Sequence, residues 1–370
     1  MIIKRFCAEN FRNIENCDIS FLPGVNLLYG NNAQGKTNAV EGIYVFARGK
    51  SFRAKEDREL IGFEKEGFRI YIEYEDDDGS HTLEYANFGR ERRRRKNGYP
   101  IKSVKEMVGN FKAVLFYPDD LGLVKDSPEE RRSFLNVAIS QCYPIYIDDY
   151  SRFKVSLDNR NCLLKSASKG NFVNDDELDS WSFSMAQYAA RIYLKRKEYI
   201  KKLELYANKI VEEISLGKEK LNLSYKCDID IDIEDQKEAV NKYYERLTRE
   251  REREKIVGSS LYGPQRDDME IFINGVSARS FASQGQQRSI VLALKLAEGE
   301  VNREICGEYP VFLFDDVLSE LDERRRAYLL SKREDRQIII TSCEKKEIAD
   351  FSESLIRVSD GVFTKQDQTV

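Results

Sequence analysis

Period-two alternation dominates roughly the first 120 positions of the chain, three–four spacing replaces it in the middle, and unbroken apolar runs appear near the end. Phe68, Ile70, Ile72 and Tyr74 alternate with polar residues, 76–79 supplies a turn, and 83–88 returns as the partner strand. Asn97-Gly98, a type I′ turn pair, marks a second hairpin. A short apolar strand over 112–117 stops at Pro118. Ser127-Pro128-Glu129-Glu130 then reads as a capping box with proline at the first helical position, so a helix starts there. Over 179–216, Met185, Ala189, Ile192, Tyr199, Leu203, Tyr206 and Ile210 keep helical spacing, interrupted at Arg196. That predicts a helix of about 30 residues, roughly 45 Å long. Leu221, Leu223 and Tyr225, then Ile229, Ile231 and Ile233, alternate as strand positions, and a charged helix over 236–255 follows. Beyond Gly258 come a strand over 269–273, a helix over 283–301, and apolar runs over 311–314 and 337–341. Such runs suit parallel strands buried on both faces.

The pattern predicts an α/β fold. Its main lobe carries an antiparallel β subdomain and is assembled from residues 1–127 and 257–370, with a mostly helical lobe inserted over 128–256. Within that frame, Gly30-Asn31-Asn32-Ala33-Gln34-Gly35-Lys36-Thr37 fits the phosphate-loop pattern G-x-x-x-x-G-K-[ST]. The strand Val25–Tyr29 precedes it and a helix over 38–46 follows, which is the context the motif needs. Its glycines let backbone N–H groups close on phosphate oxygens, helped by the helix N-terminus. Lys36 would reach the β and γ phosphates and Thr37 would bind Mg²⁺, so the expected ligands are a nucleoside triphosphate, ATP, and Mg²⁺. The run over 311–314 ends in Asp315-Asp316. Asp315 would hold Mg²⁺, directly or through water, and Asp316 would orient or deprotonate an attacking water.

Composition narrows the alternatives. The chain has 370 residues, and 60 Lys and Arg stand against 64 Asp and Glu, so any nucleic-acid surface must be local. Seven cysteines include no C-x-x-C pair, which argues against zinc and for a reducing cytosol. With His81 as the single histidine, histidine triads and multi-histidine metal sites are excluded. No signal peptide or membrane span is legible, so the expected location is cytoplasmic. The densest basic run, Arg90-Glu91-Arg92-Arg93-Arg94-Arg95-Lys96, could contact a DNA backbone or form a solvated hairpin edge. The groups 195–197, 201–202 and 249–253 read as solvated helix faces, given their acidic neighbours. Arg12 and Arg53 lie close in sequence to the phosphate motif and could contact nucleotide or form structural ion pairs.

Ser283-Gln284-Gly285-Gln286 opens the 283–301 helix, and Ser283 with Gly285 there would form a second anion site. The arrangement resembles the ABC-type ATPases, whose S-x-G-Q signature completes the nucleotide site of the opposite subunit. Ser319-Glu320-Leu321-Asp322 sits where that family has its D-loop and reads as a capping box. Gly263-Pro264-Gln265-Arg266-Asp267-Asp268, Ile273-Asn274-Gly275 and Ser283-Gln284-Gly285-Gln286-Gln287-Arg288 narrow the match. Together with Asn10-Phe11-Arg12-Asn13, Ser51-Phe52-Arg53 and Pro118-Asp119-Asp120-Leu121, they resemble the RecF family, relatives of the SMC-type ATPases without their long coiled coil. The chain departs from the family at Gln265, where histidine is common. It also has Thr341-Ser342-Cys343 where transport ATPases carry a switch histidine, and no Q-loop glutamine near Leu115-Phe116-Tyr117.

This resemblance implies a weak, DNA-stimulated ATPase of replication, recombinational repair and the response to DNA damage. An ATP-dependent homodimer would clamp double-stranded DNA near gaps or junctions, work with RecO and RecR to load RecA, and reopen on hydrolysis. A transporter ATPase subunit fits less well, because the interval from Lys36 to Ser283 is long and the switch histidine is missing. A small-molecule kinase would give Ser283–Gln287 no purpose, and an SMC-type chromosome protein would need a far longer insert.

Overall fold

The computed structural model describes residues 1–89, 91–227, 234–331, 335–345 and 351–366. Arg90, Ile229, Ile231 and Ile233 lie outside the described residues. The chain divides into two compact units, one of Met1–Leu121, Tyr206–Glu219 and Ser283–Val370, the other of Gly122–Leu205 and Lys220–Ala282.

The first unit is built on two six-stranded sheets. In the antiparallel sheet, β1 (Ile2–Phe11), β2 (Ile14–Ser20), β4 (Gly67–Asp76), β5 (Gly79–Phe88), β6 (Glu91–Lys96) and β7 (Tyr99–Pro100) run in the order β2-β1-β4-β5-β6-β7. Phe68, Ile70, Ile72 and Tyr74 of β4 are buried while Arg69, Tyr71 and Glu73 between them are half-buried, as one-sided burial of a strand requires. Asn97 and Gly98 both take positive φ, 51° and 80°, the backbone of the expected type I′ turn.

The second sheet comprises β3 (Val25–Tyr29), β8 (Ala113–Phe116), β12 (Val311–Asp315), β13 (Ile338–Ser342), β14 (Ser354–Ser359) and β15 (Val362–Gln366), ordered β15-β14-β3-β13-β12-β8. Strands β14, β3, β13, β12 and β8 are parallel, and only β15 pairs antiparallel. Every residue of β8, β12 and β13 is buried, which explains their unbroken apolar runs. Strand β13 lies between β3 and β12, so the loop after β3 and the carboxylates ending β12 emerge on either side of one strand.

The second unit is mostly helical: Pro128–Cys142, Pro144–Ala167, the larger part of Asp175–Ser215, Gln236–Arg249 and Arg251–Val257. A small sheet of β9 (Leu221–Lys226), β10 (Asp268–Ile273) and β11 (Val276–Ser277) completes it. Several expectations need correction here. The second boundary falls after Ala282 rather than at 256, because β10 pairs antiparallel with β9 of the insert. The first falls after Leu121 rather than at 127, and 206–219 belong with the sheets. The long helix has 41 residues, its first turn carrying Asp175, Asp176 and Glu177, which complement the helix dipole upstream of the recognised stripe. Ser127 precedes its helix without a side-chain cap, since the Glu130 N–H donates to the Ser127 carbonyl at 3.2 Å instead. The 236–255 helix is two helices that part at Glu250.

Arg196 is not on a solvated face. It is fully buried and donates to the Tyr146 hydroxyl (3.1 Å), the Pro264 carbonyl (2.7 Å) and Asn136 Oδ1 (3.0 Å), with Asp267 at 3.7 Å. A buried guanidinium demands such a partner set, so the break in the apolar stripe is a core position filled by a satisfied charge. Its neighbour Lys195 does sit at the surface, paired with Glu198 at 2.9 Å. Arg251 pairs with Asp179, and Arg249 and Arg253 lie beside Glu250 at 3.6 and 3.7 Å, so that group is an acid-matched surface as expected.

Candidate nucleotide-binding site

The phosphate motif forms the turn between β3 and the helix Lys36–Arg48. Ala33 and Gly35 take φ of 64° and 109°, a backbone that turns N–H groups inward around an anion. A side chain at Gly30 would meet the Val358 carbonyl oxygen at 2.1 Å, so only glycine lets the loop lie against β14. Neighbours hold the loop in shape. Asn13 Nδ2 donates to the Ala33 carbonyl (3.0 Å), Asn38 Nδ2 donates to Asn13 Oδ1 (2.6 Å), and the Gly361 N–H donates to the Gln34 carbonyl (3.0 Å). Lys36 is 5% exposed, and its Nζ donates to the carbonyls of Gly30 (2.7 Å) and Asn31 (2.8 Å). The ammonium therefore already lies inside the ring of the loop.

Thr37 and Asp315 meet directly, Thr37 Oγ1 donating to Asp315 Oδ1 at 2.8 Å. Thr341, on the strand between them, donates to the same oxygen at 2.7 Å. Burial pushes the Asp315 carboxyl above the usual carboxylate range, while the two hydroxyls act in the opposite direction. Both hydroxyls use Oδ1, which leaves Oδ2 for a cation. Among the described residues no group of three or more His, Cys, Asp or Glu could hold a metal ion. One hydroxyl and one carboxylate instead fit Mg²⁺, which takes few protein oxygens and completes its shell with phosphate and water. Asp316 sits at φ 54°, its N–H held by Thr341 Oγ1 at 2.9 Å. A left-handed non-glycine residue is costly, and such strain collects at functional sites.

Ser283 caps the helix Gln284–Cys306 in a reciprocal box: its Oγ accepts from the Gln286 N–H (3.2 Å), and Gln286 Oε1 accepts from the Ser283 N–H (2.9 Å). The exposed Ser283 hydroxyl keeps its proton to donate. The Ser319–Asp322 box does not form, because the helix starts only at Glu323: Ser319 lies in the preceding turn Leu318–Glu320, its Oγ donating to the Asp316 carbonyl (3.1 Å), and Asp322 caps the helix Glu323–Ser331 by accepting the Arg325 N–H (2.9 Å). Two arginines that the sequence did not single out for this join the two segments. Arg325 donates to the Gly285 carbonyl (2.7 Å) and Ser289 Oγ (2.8 Å), and Arg288 donates to Glu320 (2.6 Å).

Arg12 and Arg53 do not face the loop as free cations. Both are held by Glu41, which is fully buried: Arg12 binds it with two hydrogen bonds (2.8 and 3.0 Å), and Arg53 and Ser51 complete the set. Burial alone would raise the Glu41 carboxyl, but the bonds from Arg12, Ser51 and Arg53 hold it below the usual range. An acid inside the apolar face of the helix after the motif was the available signal. Arg53 also donates to Asn38 Oδ1 (2.6 Å), so it stays connected to that helix beside the loop.

Of Thr341-Ser342-Cys343, only the Cys343 side chain reaches the loop, with Sγ 2.8 Å from Asn32 Oδ1 and 3.9 Å from Lys36 Nζ. A cavity of about 370 Å³ adjoins the loop there and adds Lys345 and Arg357. No motif pointed to these two.

The basic run lies on β6 and is mostly engaged. Arg92 pairs with Asp57 (3.2 Å), Arg93 with Glu91 (2.9 Å), Arg94 stacks on Tyr85 (4.8 Å to the ring centre), and Lys96 Nζ donates to Asn110. Arg95 is exposed and makes no ion pair among the described residues.

Residues 2–368 match the family model described as RecF/RecN/SMC N terminal domain. The chain is 36% identical to the DNA replication and repair protein RecF of Acetivibrio thermocellus, covering 98% of this chain and 99% of that protein. It is 35% identical to the RecF of Clostridium beijerinckii, with both chains fully covered. A solved structure of the recombination mediator protein RecF with ATP, in the RecFOR pathway, superposes with a TM-score of 0.92 at 34% identity, covering 99% and 97% of the two chains. An Smc head domain from Pyrococcus furiosus shares the fold, with a TM-score of 0.57 at 16% identity over 99% and 96% of the chains.

Proposed function

Because this chain belongs to the RecF family of DNA replication and repair proteins, we propose that it is an ATP-driven, DNA-binding switch. The observation that carries the reading is the meeting of Thr37 with Asp315 beneath a phosphate loop that already encloses Lys36. Lys36 would exchange its carbonyl partners for β and γ phosphate oxygens. Mg²⁺, when bound, neutralises charge on those phosphates. Thr37 and Asp315 would hold the cation, and Asp316 would take the proton of the attacking water. The solved RecF structures with ATP and with an ATP analogue support the nucleotide assignment.

The exposed Ser283 and the backbone around Gly285 would close over ATP held by a second copy, making the homodimer nucleotide-dependent. Arg325 and Arg288 would keep signature and D-loop moving as one piece. The closed dimer would clamp duplex DNA near a gap or junction, act with RecO and RecR in loading RecA, and reopen on slow hydrolysis. Light scattering tests the dimer: with ATP and Mg²⁺ the parent should double in mass, while Ser283→Arg should stay monomeric and still bind nucleotide. A parent that remains monomeric at high concentration with ATP contradicts the sandwich.

For DNA, Arg92 to Arg95 would supply backbone contacts, with Arg95 readiest and the others exchanging internal partners. Replacing all four with serine should weaken binding similarly across sequences and flatten the slope of log affinity against log salt. An unchanged slope returns the run to a solvated hairpin edge.

A further inference from the structure

In the unit of Gly122–Leu205 and Lys220–Ala282, a cavity of about 400 Å³ opens beside the first turn of the helix Pro128–Cys142. Its polar lining is Arg132, Asn161, Ser259, Ser260, Gln265 and Arg266, and no carboxylate lines it. Acids match the arginines just around it. Arg131 is held by Asp268 at 2.7 and 2.8 Å, and the buried Arg160 pairs with Glu254 at 2.6 Å. Arg132 and Arg266 have no such match: neither makes an ion pair among the described residues, and Arg132 spends only Nη1, on the Asp267 carbonyl at 2.9 Å.

The remaining polar groups offer protons. Ser260 Oγ accepts from Arg160 (2.8 Å), which frees its own O–H to donate. Asn161 Oδ1 accepts the Ser260 N–H (2.7 Å), which leaves the Asn161 amide protons. Pro128 is the first residue of a 15-residue helix whose Ser127 gives no side-chain cap, so the positive end of the dipole is also present. Gln265 Oε1 is an acceptor, buried without a hydrogen-bond partner. Burial and the nearby Arg196 push Arg132 below its ordinary range, and Asp268 and Glu129 offset this only in part, so a bound anion would relieve the remainder.

We infer that this cavity is a phosphate-binding site, separate from the nucleotide loop. Paired guanidinium groups suit the tetrahedral, multiply charged phosphoryl group better than a lone carboxylate. A phosphate monoester would also offer a hydroxyl to Gln265 Oε1, whereas a DNA phosphodiester would leave that oxygen to water. The inference does not depend on the ATP reading.

The test uses the full chain carrying Lys36→Ala, which disables the loop, titrated with sodium phosphate against chloride at constant ionic strength. Saturable phosphate binding is expected, weakened about tenfold or more by Arg132→Gln or Arg266→Gln. Arg266 is exposed, so its substitution spares the fold, and Arg266→Lys should restore most of the affinity. Duplex DNA then separates the sources. If the ligand is a backbone phosphate, each glutamine variant of the parent lowers the salt slope by about one. If the slope is unchanged while phosphate binding falls, the ligand is a free phosphate compound. Absence of phosphate binding, or binding that survives both substitutions, overturns the proposal.

Discussion

Lys36→Ala is expected to weaken ATP binding by roughly 10²- to 10³-fold, the range for removing one partner of a buried, hydrogen-bonded charge pair. The ammonium is almost fully enclosed, and it clasps the carbonyls of Gly30 and Asn31. Alanine deletes both the phosphate partner and that clasp, so a modest fall in the melting temperature of the free protein should accompany the loss. Lys36→Arg separates the two effects. Its planar fork retains charge but cannot reproduce a point donor inside a ring of this size, so binding should survive better than turnover. Titration calorimetry with ATP and Mg²⁺ reads the result. Parent-like affinity in the alanine variant would remove the nucleotide site from this loop.

Asp316→Asn should lower turnover by about 10²-fold, as for loss of a general base, while ATP binding and dimerisation persist. Asparagine is the right probe because position 316 has φ 54°, a conformation that asparagine tolerates better than most residues. Alanine there would add backbone strain to the lost carboxylate. Asp315→Asn should behave differently. Asp315 Oδ1 accepts from both Thr37 and Thr341, and an amide keeps one acceptor but no charge for a cation. Nucleotide affinity in Mg²⁺ should therefore fall together with hydrolysis. Identical behaviour of the two variants would mean that both carboxylates share the metal. Undiminished turnover in Asp316→Asn would end its catalytic assignment.

Features governed by local chemistry were legible in the sequence. The phosphate loop is recognisable because the geometry needs glycine at set positions, and the strands over 311–314 and 338–340 because burial on both faces leaves unbroken apolar runs, polar only at their ends in Asp315 and Thr341-Ser342. The I′ turn at Asn97-Gly98 is likewise short-range. Long-range pairing was not legible. Glu41 collects Arg12 and Arg53 from segments on either side of its helix, so the acid on that helix was legible but the partners it draws were not. Arg196 looked like part of a basic surface run because its partners, Tyr146, Asn136 and Pro264, lie on other elements. The strand 269–273 was placed with the wrong unit for the same reason: its partner, β9, stands more than forty residues upstream. Two expected capping boxes failed for reasons that spacing alone does not decide: the Ser127 carbonyl takes the Glu130 N–H, and the second helix starts at Glu323, which leaves Ser319 in the turn before it.

The most direct test of the ATP switch is DNA binding by the Asp316→Asn protein, with and without ATP, on gapped and fully duplex oligonucleotides at two salt concentrations. The proposed reading predicts that ATP tightens binding markedly, that the gapped substrate is held longest, and that Ser283→Arg placed in the same chain abolishes the ATP effect. Equal affinity with and without ATP, on both substrates and at both salt concentrations, would contradict it.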